Sequence, residues 1–298
     1  MARCRVIQRA SGIFLLSMAL LSTTFLPTAQ AQPPVKEIGG FHHPESVYQS
    51  GNNLFVADIG EAMEPVKKDG DGYIGKIDLS TGTLVDAHFL PLTGSGVLHA
   101  PKGMAMEGDT LYIADIDRIV GFDVVTRQQV VELTIEGTGF LNDLVMGNGK
   151  LYASATDNGK IYEIDVRTRA YHALAIDSIR GANGLYFEKG KLYCVSIGSF
   201  AHPDGAVFEI GLPGHRVKKI ADYQGLLDGV SIVGNMLYFS DWKEQGHGVV
   251  LSLNLTTKSV KTLPFPEIAG PADLAVSKDH RYFIIPEMLT GKILFRPL

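Results

Sequence analysis

Short hydrophobic runs and polar turns follow one another along the chain, and one stretch displays the unit most clearly. From Phe140 to Thr168 the sequence reads FLNDLVMGNGKLYASATDNGKIYEIDVRT. A polar Asn-Asp pair opens an apolar run, a Gly-Asn-Gly turn follows, and Leu151 and Tyr152 begin the next apolar segment. Runs rich in β-branched and aromatic residues, separated by Gly/Asn turns, are typical of antiparallel β-strands. The stretch therefore predicts strands and no helix.

The same unit recurs six times. In each copy a polar residue, which we call the head, precedes an apolar or aromatic pair by nine residues. Successive heads are 57, 40, 41, 45 and 45 residues apart. The six heads are Glu45, Lys102, Asn142, Asn183, Asp228 and Asp273. All-β units of about 40–45 residues are typical of propeller blades, so the sequence predicts an all-β, six-bladed β-propeller.

Ring closure is also predicted. The last unit contains three evident strand segments, ADLAVS, RYFIIPE and GKILFRPL. The segment from Val35 to Phe41 precedes the first head and has no other assigned place. We expect it to complete the last blade, because an uncovered strand edge is a template for aggregation.

The first unit carries an insertion, Gly60 to Gly75, which is charged and rich in Gly. Loops on a rigid scaffold often carry function, so this segment is a candidate lid or rim. Its sequence KDGDGYI resembles a calcium-binding EF-hand loop, but Lys67 occupies the first-ligand position and Asp78 the twelfth. An ordinary acidic turn is the favoured alternative.

Residues 1–31 have a different composition from the rest of the chain. Three Arg precede a short apolar run, and Ala29-Gln30-Ala31 supplies small residues for cleavage. This pattern predicts a secretory signal peptide, with a retained membrane anchor as the alternative. The mature protein would then be a single propeller domain, 32–298, in the periplasm or secreted.

Net charge and cysteine content limit the classes of partner that the sequence allows. Without residues 1–31, which hold three Arg and no acidic residue, 24 basic residues face 32 acidic ones, a net charge of −8. An acidic chain without a Lys/Arg cluster argues against nucleic acid or an anionic membrane as partner. Cys194 is then the one cysteine left, and its apolar strand predicts a small buried hydrophobe. We expect a monomer that acts on a small molecule.

The heads are the candidate functional residues. Innermost propeller strands begin at one mouth of the channel, so the six heads are expected to converge there. Carboxylate and amide oxygens suit a hard cation such as calcium, and the absence of His and Cys at the heads disfavours zinc or copper. The alternative is that these residues cap turns. A second set of equivalent positions, thirteen residues after each head, contains both polar and apolar residues. We call it the second register, and its mixed composition predicts structural contacts and not a site. It comprises Asp58, Asp115, Ala155, Ser196, Asp241 and Pro286.

Four heads resemble the senescence marker protein/gluconolactonase family and its six-bladed relatives, diisopropyl fluorophosphatase and the paraoxonases. Glu45 in HHPESVY, Asn142 in FLNDL, Asn183 in GANGLYF and Asp228 in LLDGVSI are similar to that family's Glu, Asn, Asn and Asp, in that order. The resemblance implies that these four residues hold a catalytic calcium, or another divalent cation.

Two departures change the expected substrate. The family's Glu-Gly-Pro-Val-Trp motif is Glu45-Ser46-Val47-Tyr48 here, and the position of its sugar-contacting Arg is Phe140. The calcium site carries over from the resemblance, and the sugar-acid lactone does not. A more apolar pocket lined by Phe140, Phe200 or Trp242 is expected instead.

The resulting hypothesis is calcium-dependent hydrolysis of a lactone or related ester. Asp228 would be the general base, and Asp143 and Lys102 would assist it. His42, His43, His99 and His202 are weaker candidates for proton transfer. No Gly-x-Ser-x-Gly elbow is present. The alternative is a non-enzymatic propeller that binds a ligand or protein and uses calcium only as a structural clamp.

Overall fold

Almost every regular element is a strand in the part of the chain that the computed structural model describes, residues 1–2, 37–212 and 214–298. The exception is a single 3-10 turn at Glu244–Gly246. No helix in these ranges is long and apolar enough to cross a bilayer. The chain divides into two compact units, Met1–Gln32 and Pro33–Leu298. The predicted signal peptide lies outside the described residues except for its first two.

Six antiparallel sheets make up the second unit, one for each blade, and four of them consist of four strands in consecutive order. Blade 1 comprises β2 (Pro44–Ser50), β3 (Asn53–Asp58), β4 (Tyr73–Asp78) and β5 (Thr83–Leu90). Blade 2 comprises β6 (Pro101–Glu107), β7 (Thr110–Asp115), β8 (Arg118–Asp123) and β9 (Gln129–Thr134). Blade 3 comprises β10 (Leu141–Gly147), β11 (Lys150–Ala155), β12 (Lys160–Ile164) and β13 (Tyr171–Ala173).

The remaining blades follow the same plan. Blade 4 comprises β14 (Ala182–Glu188), β15 (Lys191–Ser196), β16 (Val207–Gly211) and β17 (Arg216–Lys219). Blade 5 comprises β18 (Leu227–Val233), β19 (Met236–Asp241), β20 (His247–Asn254) and β21 (Val260–Thr262), and β22 (Ile268–Ala269) adds to β20. Blade 6 comprises β23 (Ala275–Val276), β24 (Tyr282–Glu287), β25 (Lys292–Pro297) and β1 (Glu37–Gly39). The predicted six-bladed β-propeller is confirmed.

The N-terminal strand closes the ring as predicted. Ile38 of β1 pairs with Ile293 of β25, and blade 6 is thus built from both ends of the described chain. Ile38 is buried, and the exposed pair of Lys292 and Glu37, 2.9 Å apart, adds little to stability. Burial of the strand edge and its apolar face therefore accounts for the closure.

Apolar side chains fill the spaces between neighbouring blades. One cluster joins Tyr112 of blade 2 to Leu144, Leu151 and Tyr162 of blade 3. The rings of Tyr152 in blade 3 and Phe187 in blade 4 stack with centroids 6.2 Å apart. The inner strands of each sheet thus bury both faces, which is why they read as nearly continuous apolar runs, whereas outermost strands such as β9 and β17 are partly exposed.

Buried aspartates hold the segments that lead into three heads. Asp58 is fully buried and accepts hydrogen bonds from the backbone N–H groups of His42 and His43 at 2.8 and 3.1 Å. Asp115 and Asp241 are equally buried and accept backbone N–H groups in the matching segments of blades 2 and 5. The prediction that this second register is structural is confirmed at these three positions.

Glycine follows three of the heads because the inner strands approach one another closely. A Cβ on Gly184 would lie 2.3 Å from the carbonyl oxygen of Asp228, and one on Gly229 would lie 2.1 Å from the backbone nitrogen of Leu274. A Cβ on Gly103 would likewise meet the backbone of the next blade, at 2.4 Å. No larger residue fits without displacing the backbone at the propeller axis.

We therefore expect Gly184→Ala to destabilise the protein by about 1–3 kcal/mol, the usual cost of overpacking. In a chain of this size that lowers the melting temperature by several degrees, which calorimetry or circular dichroism measures. Gly211→Ala is the matched control, because nothing lies within 4 Å of its Cβ position and its φ is not in the left-handed region. Equal melting temperatures for the two variants would contradict this account.

Candidate functional site

Five heads share the floor of one cavity at a mouth of the channel. Each is the second residue of the first strand of its blade, and these first strands contact one another around the axis. The cavity has a volume of about 450 Å³, within the usual range for small-molecule sites. Its floor comprises Glu45, Lys102, Asn142, Asn183 and Asp228. All five side chains are at most 8% exposed.

The sixth position belongs to Ala272, and the prediction of Asp273 is wrong by one residue. Pro271 forms a β-bridge with Glu287, the last residue of the second strand of blade 6. In the other blades, the residue directly before the head pairs in the same way with the last residue of the second strand. The turn between the first two strands of blade 6 spans 278–281, because the Ser277 N–H bonds to the Tyr282 carbonyl. That turn is two residues longer than the corresponding turn of blade 3, so a fixed count of nine misses the head.

Three oxygens on the cavity floor have no hydrogen-bond partner although they are buried. They are Oε2 of Glu45, Oδ1 of Asn183 and Oδ1 of Asp228. A buried acceptor without a donor costs about 1–3 kcal/mol, so three of them in one cavity indicate a cationic ligand or a donor that binds there. These residues are three of the four predicted metal ligands.

The two asparagines are oriented so that their amide oxygens remain available. Nδ2 of Asn142 donates to Oγ1 of Thr156 at 3.2 Å, and Nδ2 of Asn183 donates to the Leu227 carbonyl at 3.4 Å. The Thr156 hydroxyl in turn donates to the backbone of the next blade. These contacts assign the amide orientation and hold both NH₂ groups on protein acceptors.

Trp242 fixes the carboxylate of Asp228. The indole Nε1 donates to Oδ2 of Asp228 at 2.7 Å, which leaves Oδ1 as the oxygen without a partner. The sequence predicts Trp242 in the pocket wall but does not predict this contact. The signal was present, because the residue fourteen positions after the head also lines the cavity in three other blades, as Ile59, Thr156 and Ile197.

Burial and mutual repulsion raise the pKa values of the carboxyl groups on the cavity floor. Burial raises the pKa of Asp228 to about 7, although the hydrogen bond from Trp242 and the nearby amide of Asn183 act in the opposite direction. Burial also raises the pKa of Glu45 well above its usual value, and the charge of Asp228 raises it further. Without a cation, the cavity therefore favours the protonated acids at neutral pH.

Lys102 supplies the positive charge of the floor. Its ammonium is buried, donates to the Ala100 carbonyl at 2.8 Å and lies 5.2 Å from the centroid of the Phe140 ring. Burial lowers the pKa of Lys102 to about 8, while the nearby charge of Glu45 raises it. This ammonium only partly offsets the surrounding carboxylates.

Asp143 and Asp273 form a second acidic layer one residue below the heads. Oδ1 of each accepts the following backbone N–H at 2.7 Å, and Oδ2 of Asp143 also accepts the Leu185 N–H at 2.6 Å. Both line a cavity at the other end of the first strands. Burial raises the pKa of Asp143 to about 7 against the effect of its backbone donors. Asp143 therefore lies beneath the floor with its oxygens bound to the backbone.

The cavity wall is apolar, as the departures from the family motif predicted. Phe140, Phe200 and Trp242 all line it, as expected. The insertion of blade 1 forms part of the same rim through Met63 and Pro65. The remaining apolar wall residues are Ile59, Ile197, Leu226 and Met288.

The weaker sequence candidates lie elsewhere. In the EF-hand-like segment, the ammonium of Lys67 pairs with Asp69 at 3.3 Å, and Asp71 accepts the Glu61 N–H, which is the pattern of an acidic turn. The cavity lining includes no histidine. Cys194 is buried, and burial raises the pKa of its thiol to about 12, which agrees with the predicted structural role.

The residues present fit a hard cation. Carboxylate and amide oxygens are the usual ligands of calcium, and the partnerless oxygens of the floor are of these two kinds. No group of three His, Cys, Asp or Glu side chains in the described ranges could hold a metal ion. Two of the four predicted ligands are asparagines, so such a group is not expected at this site.

Comparisons with known proteins support the propeller fold and do not identify a family. No protein-family model matches the chain, and no curated protein matches it in sequence. Virginiamycin B lyase from Staphylococcus aureus is similar in structure, with a TM-score of 0.61 and 14% identity over 88% of this chain and 98% of that chain. A chain of the nidogen/laminin complex has a TM-score of 0.55 and 22% identity, and covers 75% of this chain and 77% of that one.

The extracellular domain of a proposed one-component system from B. thetaiotaomicron has a TM-score of 0.56 and 14% identity over 85% of this chain. This chain spans about a third of that protein's length, 34%. At these identities the similarity establishes the propeller fold alone. The specific family resemblance stays a prediction.

The floor carboxyls, together with Asp143 beneath the floor, predict an unusual dependence of stability on pH. Their folded pKa values are raised, so in metal-free protein they release protons on unfolding between about pH 4 and pH 7 and stability falls as the pH rises through this window. We expect chelated protein to melt at a lower temperature at pH 8 than at pH 5. Excess calcium should remove most of that difference, because a cation stabilises the ionised acids.

Thermal unfolding in chelator and in calcium across pH 5–8 measures both effects. Asp228→Asn should flatten the pH dependence in chelator, whereas Asp222→Asn, at an exposed aspartate in the loop between blades 4 and 5, should not. A melting temperature that rises with pH in chelator would contradict the assignment.

Proposed function

We propose that this protein is a calcium-dependent hydrolase of the gluconolactonase-like type, which acts on a lactone or a related ester. The observation that carries the proposal is the set of three buried, partnerless oxygens on the cavity floor. Glu45, Asn142, Asn183 and Asp228 would hold the cation, with calcium first among divalent ions. When bound, such an ion polarises the substrate carbonyl and stabilises the oxyanion that develops on it.

Asp228 is suited to act as the general base. Trp242 binds its Oδ2, so Oδ1 is the oxygen that faces no competing donor. Burial raises the pKa of Asp228 and thereby makes it a stronger base, whereas a bound cation would lower this pKa. A water molecule loses a proton to Asp228 and adds to the carbonyl carbon. The ring C–O bond then breaks, and the leaving alkoxide takes the proton, which yields a hydroxy acid.

Lys102 and Asp143 have supporting roles in the proposal. The Lys102 ammonium uses one protein acceptor and lies on the cavity floor, so it offsets the carboxylates and can attract an anionic group of the substrate or product. The carboxylate of Asp143 accepts hydrogen bonds from the backbone N–H groups of Leu144 in blade 3 and Leu185 in blade 4, and thereby joins the two blades. It positions the neighbouring Asn142.

The proposed localisation, oligomeric state and partners are those that the sequence predicts. The protein is periplasmic or secreted, acts as a monomer on a small molecule, and has neither nucleic acid nor a membrane as partner. The alternative function is a non-enzymatic binding propeller in which the cation only clamps the blades. The tests below distinguish the two.

Asp228→Asn should reduce hydrolysis of the lactone or ester that the wild type cleaves by about 10²–10⁴-fold, the usual contribution of a general base. A pH-indicator assay with a panel of lactones and esters measures turnover, and calorimetry measures calcium binding to the same preparations. Asp222→Asn is the matched control and should retain activity. Calcium bound tightly by a protein that hydrolyses no member of the panel would favour the binding propeller, and absence of calcium binding would overturn the site.

Trp242→Phe tests the positioning of the base. Loss of the indole donor raises the pKa of Asp228, because this hydrogen bond lowers it. We expect the acidic limb of the kcat/KM profile to move to higher pH, with the apolar wall preserved by the phenyl ring. A profile with an unchanged acidic limb would show that the indole does not position the base.

A further inference from the structure

The cavity separates polar and apolar groups by depth. Polar side chains lie on the floor, on the first strands of five blades. Apolar side chains make up the wall above them, from the insertion of blade 1 around to Met288 of blade 6. A ligand in this cavity is therefore recognised by polar groups at one end and by dispersion and hydrophobic contacts at the other.

The two polar side chains of the wall, Thr156 and Trp242, already have hydrogen-bond partners within the protein. The hydroxyl of Thr156 donates to the Ala182 carbonyl at 2.7 Å and accepts from Asn142. The indole N–H of Trp242 donates to Asp228. A hydroxyl group of a ligand placed against this wall would lose its water without gaining a partner, at a cost of about 1–3 kcal/mol for each group. A polyhydroxylated ligand is thus disfavoured.

Apolar side chains also continue outward at the rim. Phe200 is 71% exposed and Met63 is 48% exposed, and both line the cavity. Large apolar side chains exposed next to an apolar cavity lose water only when a ligand covers them, which favours binding of an apolar group. Met63 lies in blade 1 and Phe200 in blade 4, so the apolar rim is not confined to one blade.

From this arrangement we infer the substrate class: a lactone or ester whose acyl or ring substituent is an alkyl chain or aryl group without hydroxyls. The inference rests on the proposed function for the identity of the reacting group, and on the cavity wall for the substituent. The carbonyl lies at the floor, near Asp228 and Lys102, and the apolar substituent extends along Phe140, Leu226 and Trp242 toward the rim.

The single tryptophan of the chain provides a direct measurement of binding. Trp242 lines the cavity, so its fluorescence should report occupancy. We would titrate calcium-loaded protein with γ-lactams that carry no substituent or a butyl, hexyl or octyl chain, since lactams resist hydrolysis. D-gluconolactam is the hydroxylated counterpart. The same chains on γ-lactones give kcat/KM in parallel.

We expect Kd to fall by about threefold for each added methylene until the chain passes the rim, and gluconolactam to bind more weakly than the butyl lactam. Phe200→Ser and Met63→Ser should flatten this dependence. Both side chains are largely exposed, so these variants should fold. Val125→Ser, at an exposed turn of blade 2, is the control and should leave it unchanged.

The outcomes separate the two proposals. Chain-length-dependent lactam binding without hydrolysis of any lactone would refute the hydrolase and support the apolar ligand class. Hydrolysis with no dependence on chain length, or with preference for the hydroxylated ring, would support the hydrolase and overturn the substrate class. Lactams that fail to bind at their solubility limit would also overturn it.

Discussion

Burial of several ionisable side chains around one axis is the constraint on which this structure depends. Glu45, Asp228 and Lys102 are nearly excluded from solvent in the same cavity, where an unpaired charge is costly. The ammonium does not match the carboxylates in number. The fold therefore carries a local electrostatic cost that protonation or a bound cation relieves, and the raised pKa values of the acids reflect that cost.

The propeller can support such a site because its stability comes from elsewhere. Apolar clusters fill the spaces between neighbouring blades, and blade 6 joins both ends of the propeller through β1 and β25. Glycines after three heads let the first strands pack backbone against backbone at the axis. The rigid ring of strands then holds the head side chains in place without any contribution from a disulfide, since the thiol of Cys194 is free and buried.

Structural similarity to both virginiamycin B lyase and a chain of the nidogen/laminin complex agrees with this separation of scaffold and site. The propeller fold by itself does not specify a chemistry. Hydrolysis is therefore inferred from the atoms of the cavity floor, and an apolar substrate is inferred from its wall. The two can fail independently.

Repetition in the sequence determined the blade number, the closing strand and five of the six ring positions. This was possible because every blade repeats the same hydrophobic pattern, and because a strand places residues at fixed spacing. The count failed at Asp273, where a longer turn shifts the register, and a turn length is a local choice that the repeat does not fix. Only the tertiary structure paired Trp242 with Asp228 and brought Met63 and Phe200 to the rim of one cavity. These arrangements bring together side chains from separate loops or blades, and their geometry depends on how the segments that carry them pack around the axis.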